Sequence, residues 1–438
     1  MLALKLAQAL ERRHIHYGWV IAALTFLTIL TSSAMLGLPG ILLQPLSEEF
    51  GWSTDQISGA LALRFVLYGL MGPFVAILIS RYGLRRTMRA AMMMMALGMI
   101  LAVFMRSFWQ LVLLWGILLG IATSLAALVL GTIVTNRWFE SHRGVVIGVL
   151  TSSIATGQLL FLPIGAWLVE AYGWRSALYP LFGLALFVGL LVNSLVRDQP
   201  EDLGLRPYGS MADTPLPPPS LAKMSFMTPL RVLYAVRADR TFWILSGTFF
   251  VCGLSTSGLI QTHFISLCGD FGLSPIPAAS VLSMMGLFDL VGTVLSGWLA
   301  DRYDNRKLLF WYYGLRGLSL FWLPHSEFTF YGLSLFAMFY GMDWIATVPP
   351  TVRLATNAFG KEHAGILIGW IFAIHQLGAG LAAYAAGLSR TMMLTYTPAI
   401  YAAGITCLLA ALAVLWIRTP GASAPPRAPA RVVAEKTA

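Results

Sequence analysis

Apolar segments separated by short polar loops follow one another along the chain from residue 17 to residue 417. Twelve of these segments are 17 to 27 residues long, and about 20 helical residues cross the hydrocarbon core of a bilayer. The pattern therefore predicts an all-α membrane protein with twelve transmembrane helices, which we call spans 1 to 12. They are predicted at residues 17–41, 56–79, 87–105, 109–134, 144–168, 176–196, 241–266, 277–300, 307–323, 328–354, 363–388 and 393–417.

The positive charges are distributed unevenly between the two ends of the spans. The net charge is +10, and 24 of the 29 Lys and Arg residues fall in the two tails, in the loops after even-numbered spans or within three residues of those loops. Cytoplasmic loops of membrane proteins carry such an excess, so both termini are predicted to lie in the cytoplasm. The basic composition therefore reflects topology, and we expect contact with membrane lipid and none with nucleic acid.

Two stretches of the first half of the chain recur in the second half at one offset, 221 residues. RYGLRR at 81–86 resembles RYDNRK at 302–307, and TNRWFESHRGVVIG at 135–148 resembles TNAFGKEHAGILIG at 356–369. Six spans return the chain to its starting side, so the pattern predicts two six-helix bundles related by an axis along the membrane normal, a parallel repeat. The predicted organisation is an amino tail (1–16), a first bundle (17–196), a linker with the proline-rich spacer DTPLPPPS (197–240), a second bundle (241–417) and a disordered tail (418–438).

The loops after spans 2 and 8 carry a recognisable signature. AILISRYGLRR at 76–86 and GWLADRYDNRK at 297–307 are similar to the Gly-x-x-x-Asp-Arg-x-Gly-Arg-Arg loops of the major facilitator superfamily. The resemblance extends over essentially the whole chain and implies two bundles that open alternately to the two sides of the membrane. It also implies a cytoplasmic latch between the bundles, which Ser80, in place of the family's Asp, should weaken. The predicted latch residues are Arg81, Arg85, Asp301, Arg302 and Arg306.

Within that superfamily, two segments resemble the monocarboxylate transporter branch. NRWFESHRGVVIGVLTSSIATGQ opens span 5 with an aromatic residue, a basic pair and a glycine series, and GLFDLVGT of span 8 places a carboxylate at Asp289. The resemblance implies proton-coupled transport of a small carboxylate. Two cations that occur in proton-coupled members of the branch are replaced here: the arginine one turn after the aspartate by Thr293, and the lysine late in span 1 by Gly40.

Four ionisable side chains lie near mid-depth in apolar runs: Arg64, Asp289, Asp343 and His375. An ionised side chain at the bilayer centre costs about 2.5–3.5 kcal/mol, so such residues usually face a cavity or a partner. We expect Arg64 to bind an anion, because a guanidinium grips carboxylates in bidentate fashion. Asp289, Asp343 and His375 are predicted to take part in proton coupling. The alternative for each is structural: a carboxyl hydrogen-bonded between helices, a paired or snorkelling arginine, or a packed histidine.

Further polar and helix-breaking residues bear on the same region. By the repeat, Tyr68 corresponds to Asp289. Arg316 lies on span 9, which the resemblance places at the periphery, so we expect a structural or snorkelling role for it. Pro349 and Pro350 are expected to break or kink span 10 near its cytoplasmic end. The predicted substrate-binding residues are Arg64, Tyr68, Gln158, Gln261, Asp289, Trp344 and Gln376.

Motifs of catalysis and of cofactor binding are absent from the sequence. It contains no phosphate-binding glycine loop, no zinc-binding histidine pair and no nucleophile elbow, and its three cysteines have no metal or disulfide spacing. We expect a monomeric, non-enzymatic membrane protein of a bacterial inner membrane that holds no cofactor and no metal. The predicted function is proton-coupled secondary transport of a small organic anion such as a monocarboxylate. The alternatives are export of amphipathic compounds, of the drug or siderophore type, and a receptor that binds a solute without moving it.

Overall fold

The computed structural model describes residues 2–210 and 225–417, including all side chains there except those of Leu128 and residues 361–364. In these ranges the chain forms helices and loops and no β-strand. Spans 1 to 6 run over Gly18–Gly37, Thr54–Tyr82, Leu84–Val103, Phe108–Trp138, Arg143–Tyr172 and Trp174–Leu195. Spans 7 to 12 run over Arg240–Asp270, Pro275–Arg302, Asn305–Trp322, Phe330–Met342 with Val348–Phe359, Lys361–Met393 and Thr397–Val414.

Ten of these helices, within the described residues, are long and apolar enough by themselves to cross a membrane. Span 9 is more polar, because three basic residues, Arg306, Lys307 and Arg316, fall within its 18 residues. Span 10 is divided into pieces of 13 and 12 residues, each shorter than a bilayer is thick. With these two, the chain forms all twelve predicted spans.

Three spans are interrupted rather than straight. Span 1 ends at Gly37, and a second helix, Pro39–Phe50, continues toward the other end of the molecule. Span 4 is interrupted at residues 126–127, and span 10 at residues 343–347. The break in span 10 lies earlier than Pro349 and Pro350 predict, because these prolines occupy the first turn of the helix Val348–Phe359. In a first turn the missing amide of proline leaves no helical hydrogen bond unmade.

The packing of the two halves repeats at the offset of the sequence repeat. Gly120 of span 4 lies against the backbone of Arg64, where a Cβ would be 3.1 Å from the carbonyl oxygen, and Gly341 of span 10 approaches the carbonyl oxygen of Met285 in the same way. Both residues of the second pair are 221 positions after those of the first. The absence of a Cβ lets each pair of helices approach closely, as small residues do in membrane bundles.

The halves meet at one end of the molecule and along spans 2 and 11, where a Cβ on Gly369 would lie 3.4 Å from Pro73. We call the end that carries the two tails and the loops after even-numbered spans the basic end, and the opposite end the distal end. At the distal end the hydroxyl of Thr391, in span 11, donates a hydrogen bond to the Asp55 carboxylate, in span 2, over 2.9 Å. The continuation of span 1 packs against span 7, where a Cβ on Gly40 would lie 2.9 Å from the carbonyl oxygen of Gln261.

Toward the basic end, spans 5 and 8 separate. Of residues 143–150 in span 5, only Val146 and Leu150 are buried. The last part of span 8 has a single buried stripe, formed by Asp289, Gly292, Ser296 and Ala300. One stripe at this spacing is what packing within one half requires, and the remaining faces of both helices are uncovered. The two halves are therefore closed together at the distal end and apart between these spans at the basic end.

The predicted tail and linker contain helices that the sequence analysis did not foresee. Leu2–Glu11 forms a helix before span 1, and Thr228–Val236 forms one before span 7. The second helix is fixed to span 11, because Trp370 donates its indole N–H to the Pro229 carbonyl oxygen over 2.9 Å. The proline-rich spacer at 213–220 lies outside the described residues, and so does the tail at 418–438, for which disorder is predicted.

Candidate functional site

A buried ion pair lies at the interruption of span 10. Arg316 of span 9 donates Nε–H to the Asp343 carboxylate over 2.7 Å. Its Nη2 donates to the carbonyl oxygens of Asp343 and Trp344, which the broken helix leaves without amide donors. Arg316 is therefore neither peripheral nor snorkelling: its side chain has no exposed surface. It neutralises one carboxylate and caps the first half-helix of span 10.

Asp289 of span 8 binds the same interruption from another side. Its Oδ1 accepts hydrogen bonds from the backbone N–H of Ile345 over 2.9 Å and from the hydroxyl of Thr293 over 3.0 Å. Close contact of spans 8 and 10 makes this possible, because a Cβ on Gly292 would lie 1.8 Å from the Met342 carbonyl oxygen. Within the described residues no basic side chain lies within 4 Å of Asp289.

The first half carries a buried cation at its own broken helix. Arg64 of span 2 donates to the carbonyl oxygens of Met35 and Leu36, over 3.2 and 3.1 Å, at the end of span 1. Pro39 has no N–H to offer the Met35 carbonyl four residues earlier, which explains why an arginine is accommodated there. The guanidinium has no carboxylate within 4 Å in the described part of the chain, and its buried Nε has no hydrogen-bond partner there.

Spans 2 and 11 bring two other predicted residues together between the halves. The ring of Tyr68, one helical turn from Arg64, meets the edge of Phe372 with ring centroids 5.8 Å apart. Four residues further along span 11, Gln376 packs on Gly69, where a Cβ would lie 2.5 Å from the glutamine Cβ. The amide oxygen of Gln376 is buried without a partner among the described residues. This contact therefore holds an unused hydrogen-bond acceptor at mid-depth.

His375 lies on the opposite side of span 11, inside the second half. Its ring lies between Phe249 and Phe372, at centroid distances of 4.8 and 5.5 Å. Spans 7 and 11 are in backbone contact here, since a Cβ on Gly253 would lie 1.9 Å from the His375 carbonyl oxygen. The Nδ1 atom is buried and has no hydrogen-bond partner in the described ranges.

The remaining predicted binding residues lie around the same level but are not in one cluster. The carbonyl oxygen of Gln158, on span 5, accepts from the Ser283 hydroxyl of span 8 over 3.5 Å, so this residue lies between the halves. Gln261 is buried in span 7, next to Gly40 in the continuation of span 1. Trp344 belongs to the span 10 interruption, and its ring meets the edge of Tyr340 at 5.7 Å.

Comparison with known protein families identifies this arrangement. The family described as Major Facilitator Superfamily matches residues 24–383 and 270–437. The chain belongs to the Major Facilitator Superfamily. It is an integral, multi-pass membrane protein of that superfamily, a transporter and not an enzyme, and its fold is the superfamily's twelve helices in two repeats. The family and the fold predicted from the sequence are confirmed.

Its relatives within the superfamily are distant. An uncharacterised MFS-type transporter, YcxA of Bacillus subtilis (strain 168), is 25% identical over 84% of this chain and 88% of its own length. Monocarboxylate transporter 13 of Bos taurus is 26% identical over 89% of this chain and 86% of its own length. Among solved structures, a D-xylose–proton symporter covers 92% of this chain and 98% of its own at 15% identity, with a TM-score of 0.71. A bacterial homologue of the lysosomal transporter Spinster, in an inward-facing and occupied conformation, covers 91% and 96% at 14% identity, with a TM-score of 0.67.

The signature loops of the superfamily make contacts within their own halves in this conformation. Arg85 donates its backbone N–H to Asp198 over 2.8 Å, and Asp301 pairs with Arg353 of span 10. Arg306 binds Asp304 over 2.7 Å and lowers the pKa of that carboxyl group below its ordinary value.

The other two predicted latch residues stack on aromatic rings. Arg302 lies over the ring of Trp298, 4.2 Å from its centroid. Arg81 lies over the ring of Phe226, in the linker, at 5.3 Å. Among the described residues, none of the five latch residues forms an ion pair with the opposite half. The latch remains a prediction for the opposite conformation.

Sequence reasoning missed two contributors to the cluster at span 10. Arg316 is expected from the sequence to have a structural or snorkelling role at the periphery, and Cys252 is noted there only as a cysteine without metal or disulfide spacing. The structure places the Cys252 sulfur 3.0 Å from Nη1 of Arg316 and 3.3 Å from the hydroxyl of Thr347. For Arg316 the signal was available, because a second buried charge of opposite sign, Asp343, occurs at similar depth on the next span. For the cysteine the sequence offers no signal.

Proposed function

We propose that this protein is a secondary transporter that moves a small organic anion, such as a monocarboxylate, together with protons by alternating access. The observation that carries the proposal is the balance of charges at mid-depth. Arg316 and Asp343 neutralise each other over 2.7 Å. Arg64 and Asp289, one in each half, have no oppositely charged side chain within 4 Å in the described ranges.

An anion at Arg64 and a proton on Asp289 would remove both unpaired charges. Each unpaired charge at the bilayer centre costs about 2.5–3.5 kcal/mol. A protein that carries only one of the two solutes keeps one such charge, whereas a protein that carries both keeps none. This difference favours movement of the anion and the proton together, which is what coupling requires. Because Arg64 and Asp289 belong to different halves, the loaded state also favours the approach of those halves.

The neighbouring polar groups suit a small substrate. Tyr68 lies one turn from Arg64 on the face that meets span 11, and the free amide oxygen of Gln376 is in the same contact. We assign Gln158, Gln261 and Trp344 to the surrounding wall. Asp343 is already occupied by Arg316, so we propose Asp289 as the principal proton site and His375, with its free Nδ1, as a secondary one.

The names of the relatives support the substrate class. Several of them, including monocarboxylate transporter 13 of Bos taurus and monocarboxylate transporter 11 of Mus musculus, are named for monocarboxylates. The latter is 29% identical over 65% of this chain and 60% of its own length. At these identities the names indicate a chemical class rather than one compound.

We further propose that the protein lies in the plasma membrane of a bacterium, with the basic end in the cytoplasm. The excess of Lys and Arg at that end and the likeness to YcxA of Bacillus subtilis support this. Green fluorescent protein fused to the carboxyl terminus folds in the cytoplasm and not after export in unfolded form. We expect this fusion to be fluorescent. A non-fluorescent fusion, together with an active alkaline phosphatase fusion at the same position, would contradict the orientation, because alkaline phosphatase is active only outside the cytoplasm.

The function is tested by uptake into proteoliposomes. The probes are ¹⁴C-labelled monocarboxylates of two to six carbons, supplied outside at pH 6 with an interior at pH 8. We expect saturable uptake of at least one probe, which collapses when a protonophore removes the pH gradient. Asp289→Asn should abolish accumulation driven by the gradient. Arg64→Gln should raise the half-saturating concentration roughly tenfold or more, because a charge-assisted hydrogen bond is lost.

Matched surface variants serve as controls for these two substitutions. Glu170→Gln and Arg106→Lys change exposed residues near the distal end and should leave uptake as in the wild type. Uptake of a probe that ignores the pH gradient and survives Asp289→Asn would refute the proton role. Transport of only neutral or cationic compounds, unaffected by Arg64→Gln, would refute the anion role.

A further inference from the structure

One peptide group lies between the carboxylate of Asp289 and the guanidinium of Arg316. The Trp344–Ile345 peptide offers its N–H to Asp289, over 2.9 Å, and its carbonyl oxygen to Arg316 Nη2, over 3.2 Å. Both bonds are therefore made by a single amide plane inside the span 10 interruption. Thr293 is the second donor to Asp289, in the position one turn after the carboxylate.

We propose that Arg316 is a positioning residue that makes the order of the span 10 interruption depend on the charge of Asp289, through the Trp344–Ile345 peptide. The inference rests on the proposed role of Asp289 as a proton site. Arg316 of span 9 is not among the proposed binding residues. The inference gives span 9 a part in coupling the proton to the movement of span 10.

The physical argument starts from charge-assisted hydrogen bonds. A hydrogen bond to an ionised group is roughly twice as strong as a neutral one. Arg316 polarises the Trp344 carbonyl, and hydrogen bonds in a chain strengthen one another, so the N–H of the same peptide becomes a better donor to the carboxylate. When Asp289 binds a proton, its bond from the Ile345 N–H loses the charge assistance, and the interruption is held more weakly on that side.

Other ionisable groups around the interruption do not replace this link. They come from the spans packed against it: Cys252 of span 7, Tyr312 and Tyr313 of span 9, Tyr340 and Asp343 of span 10, His375 of span 11 and Cys407 of span 12. Asp343 and Cys252 both bind Arg316 directly, at 2.7 and 3.0 Å. The Tyr340 hydroxyl donates to the Ser255 carbonyl oxygen over 2.8 Å. In the described contacts, only Asp289 binds the amide of Ile345.

Hydrogen–deuterium exchange of the purified protein in lipid nanodiscs tests the proposal without a substrate. The readout is the exchange of peptides that cover residues 343–348, at pH 6 and pH 8, corrected for the intrinsic effect of pH. In the wild type, corrected exchange should be roughly tenfold faster at pH 6, because the bond from Ile345 to the carboxylate weakens. In Asp289→Asn the two pH values should give the same corrected rate.

The decisive variant is Arg316→Gln combined with Asp343→Asn, which removes both charges of the ion pair together. It should exchange rapidly at both pH values, with a ratio below about twofold. Arg316→Lys keeps the charge but cannot reach the carboxylate and two carbonyls at once. Its ratio of exchange at pH 6 to exchange at pH 8 should therefore lie between that of the wild type and that of the double variant. Peptides over residues 126–127, the corresponding interruption of span 4, have no such link and serve as the internal control.

The outcomes separate this inference from the proposed function. A wild-type ratio that persists in either Arg316 variant overturns the inference while leaving the proton role of Asp289 intact. A wild type without pH dependence at residues 343–348, with the control peptides unchanged, overturns the inference and counts against the proton role as well. Should the double variant fail to fold, the Arg316→Lys ratio decides.

Discussion

At the scale of single residues, the buried charges are held by backbone groups as much as by other side chains. Arg64 binds two carbonyl oxygens at the end of span 1, Asp289 binds the amide of Ile345, and Arg316 binds two carbonyl oxygens of span 10. Buried charges need such partners, because an uncompensated one is expensive in a medium of low dielectric constant. Interrupted helices supply these partners at mid-depth, where an intact helix has none to offer.

This dependence gives a stability prediction for the ion pair. Arg316→Gln leaves the Asp343 carboxylate buried and unpaired, so it should lower the free energy of unfolding by about 3–5 kcal/mol. Adding Asp343→Asn should recover part of the loss, because no charge then remains unpaired. Unfolding in a detergent titration, followed by tryptophan fluorescence, measures both. Equal losses in the single and double variants would show that the pair itself contributes little.

The sequence identifies the buried charged residues more reliably than it identifies the groups that they bind. A charge in an apolar run is visible directly, which is how Asp289, Asp343 and Arg64 were found. The partner of Asp343 is 27 positions away on another span, and pairing it with Arg316 requires knowing which way span 9 faces. The role of backbone groups at the interruption was also hidden, because it depends on where span 10 breaks rather than on residue type.

At the scale of elements, spans 8 and 10 are in backbone contact at glycines. The lack of a side chain at Gly292 lets the Met342 backbone approach span 8, because a Cβ at this position would lie 1.8 Å from the Met342 carbonyl oxygen. This contact holds the interruption beside Asp289. Span positions followed from hydropathy, but the interruptions did not: Pro349 and Pro350 indicated a break in span 10 and placed it too late. Proline is common both in the first turn of a helix and just beyond a helix end, so its presence fixes a break only to within a turn or two.

The contact predicts a sharp contrast between two glycine substitutions. Gly292→Ala places a methyl group 1.8 Å from a backbone oxygen, which side-chain movement cannot relieve, so we expect loss of several kcal/mol or no folded protein. Gly247→Ala, in span 7, meets nothing within 4 Å and should be neutral or slightly stabilising, by up to about 1 kcal/mol. Thermal unfolding by fluorescence-detected size exclusion compares them. Two variants of similar stability would contradict the close approach of spans 8 and 10.

At the scale of the whole molecule, the halves are joined at the distal end and apart between spans 5 and 8 at the basic end. The repeat in the sequence predicted the two bundles, and the glycine contacts at the same offset show the repeat in the packing. Which end is closed could not be read from the sequence. The same chain must adopt both arrangements during alternating access, and nothing in the order of residues selects one.

Cross-linking at the distal end tests whether transport needs these ends to part. The side chains of Asp55 and Thr391 are in direct contact across the distal end, with Oδ1 and Oγ1 2.9 Å apart, so Asp55→Cys with Thr391→Cys should form a disulfide on oxidation. Uptake should then fall to background and return on reduction. Gly148→Cys with Gly297→Cys, at uncovered positions near the basic end, should cross-link poorly in the resting protein. A complete distal cross-link that leaves uptake unchanged would show that the distal end need not open.

The most direct test concerns the two unpaired charges at mid-depth, Arg64 and Asp289. If one anion and one proton neutralise them in each cycle, the loaded protein moves no net charge. In proteoliposomes with an accepted monocarboxylate, uptake should follow a pH gradient at zero membrane potential and should not respond to a potassium–valinomycin potential at equal pH. Uptake driven by the potential alone, with no response to the pH gradient, would contradict the pairing of one anion with one proton.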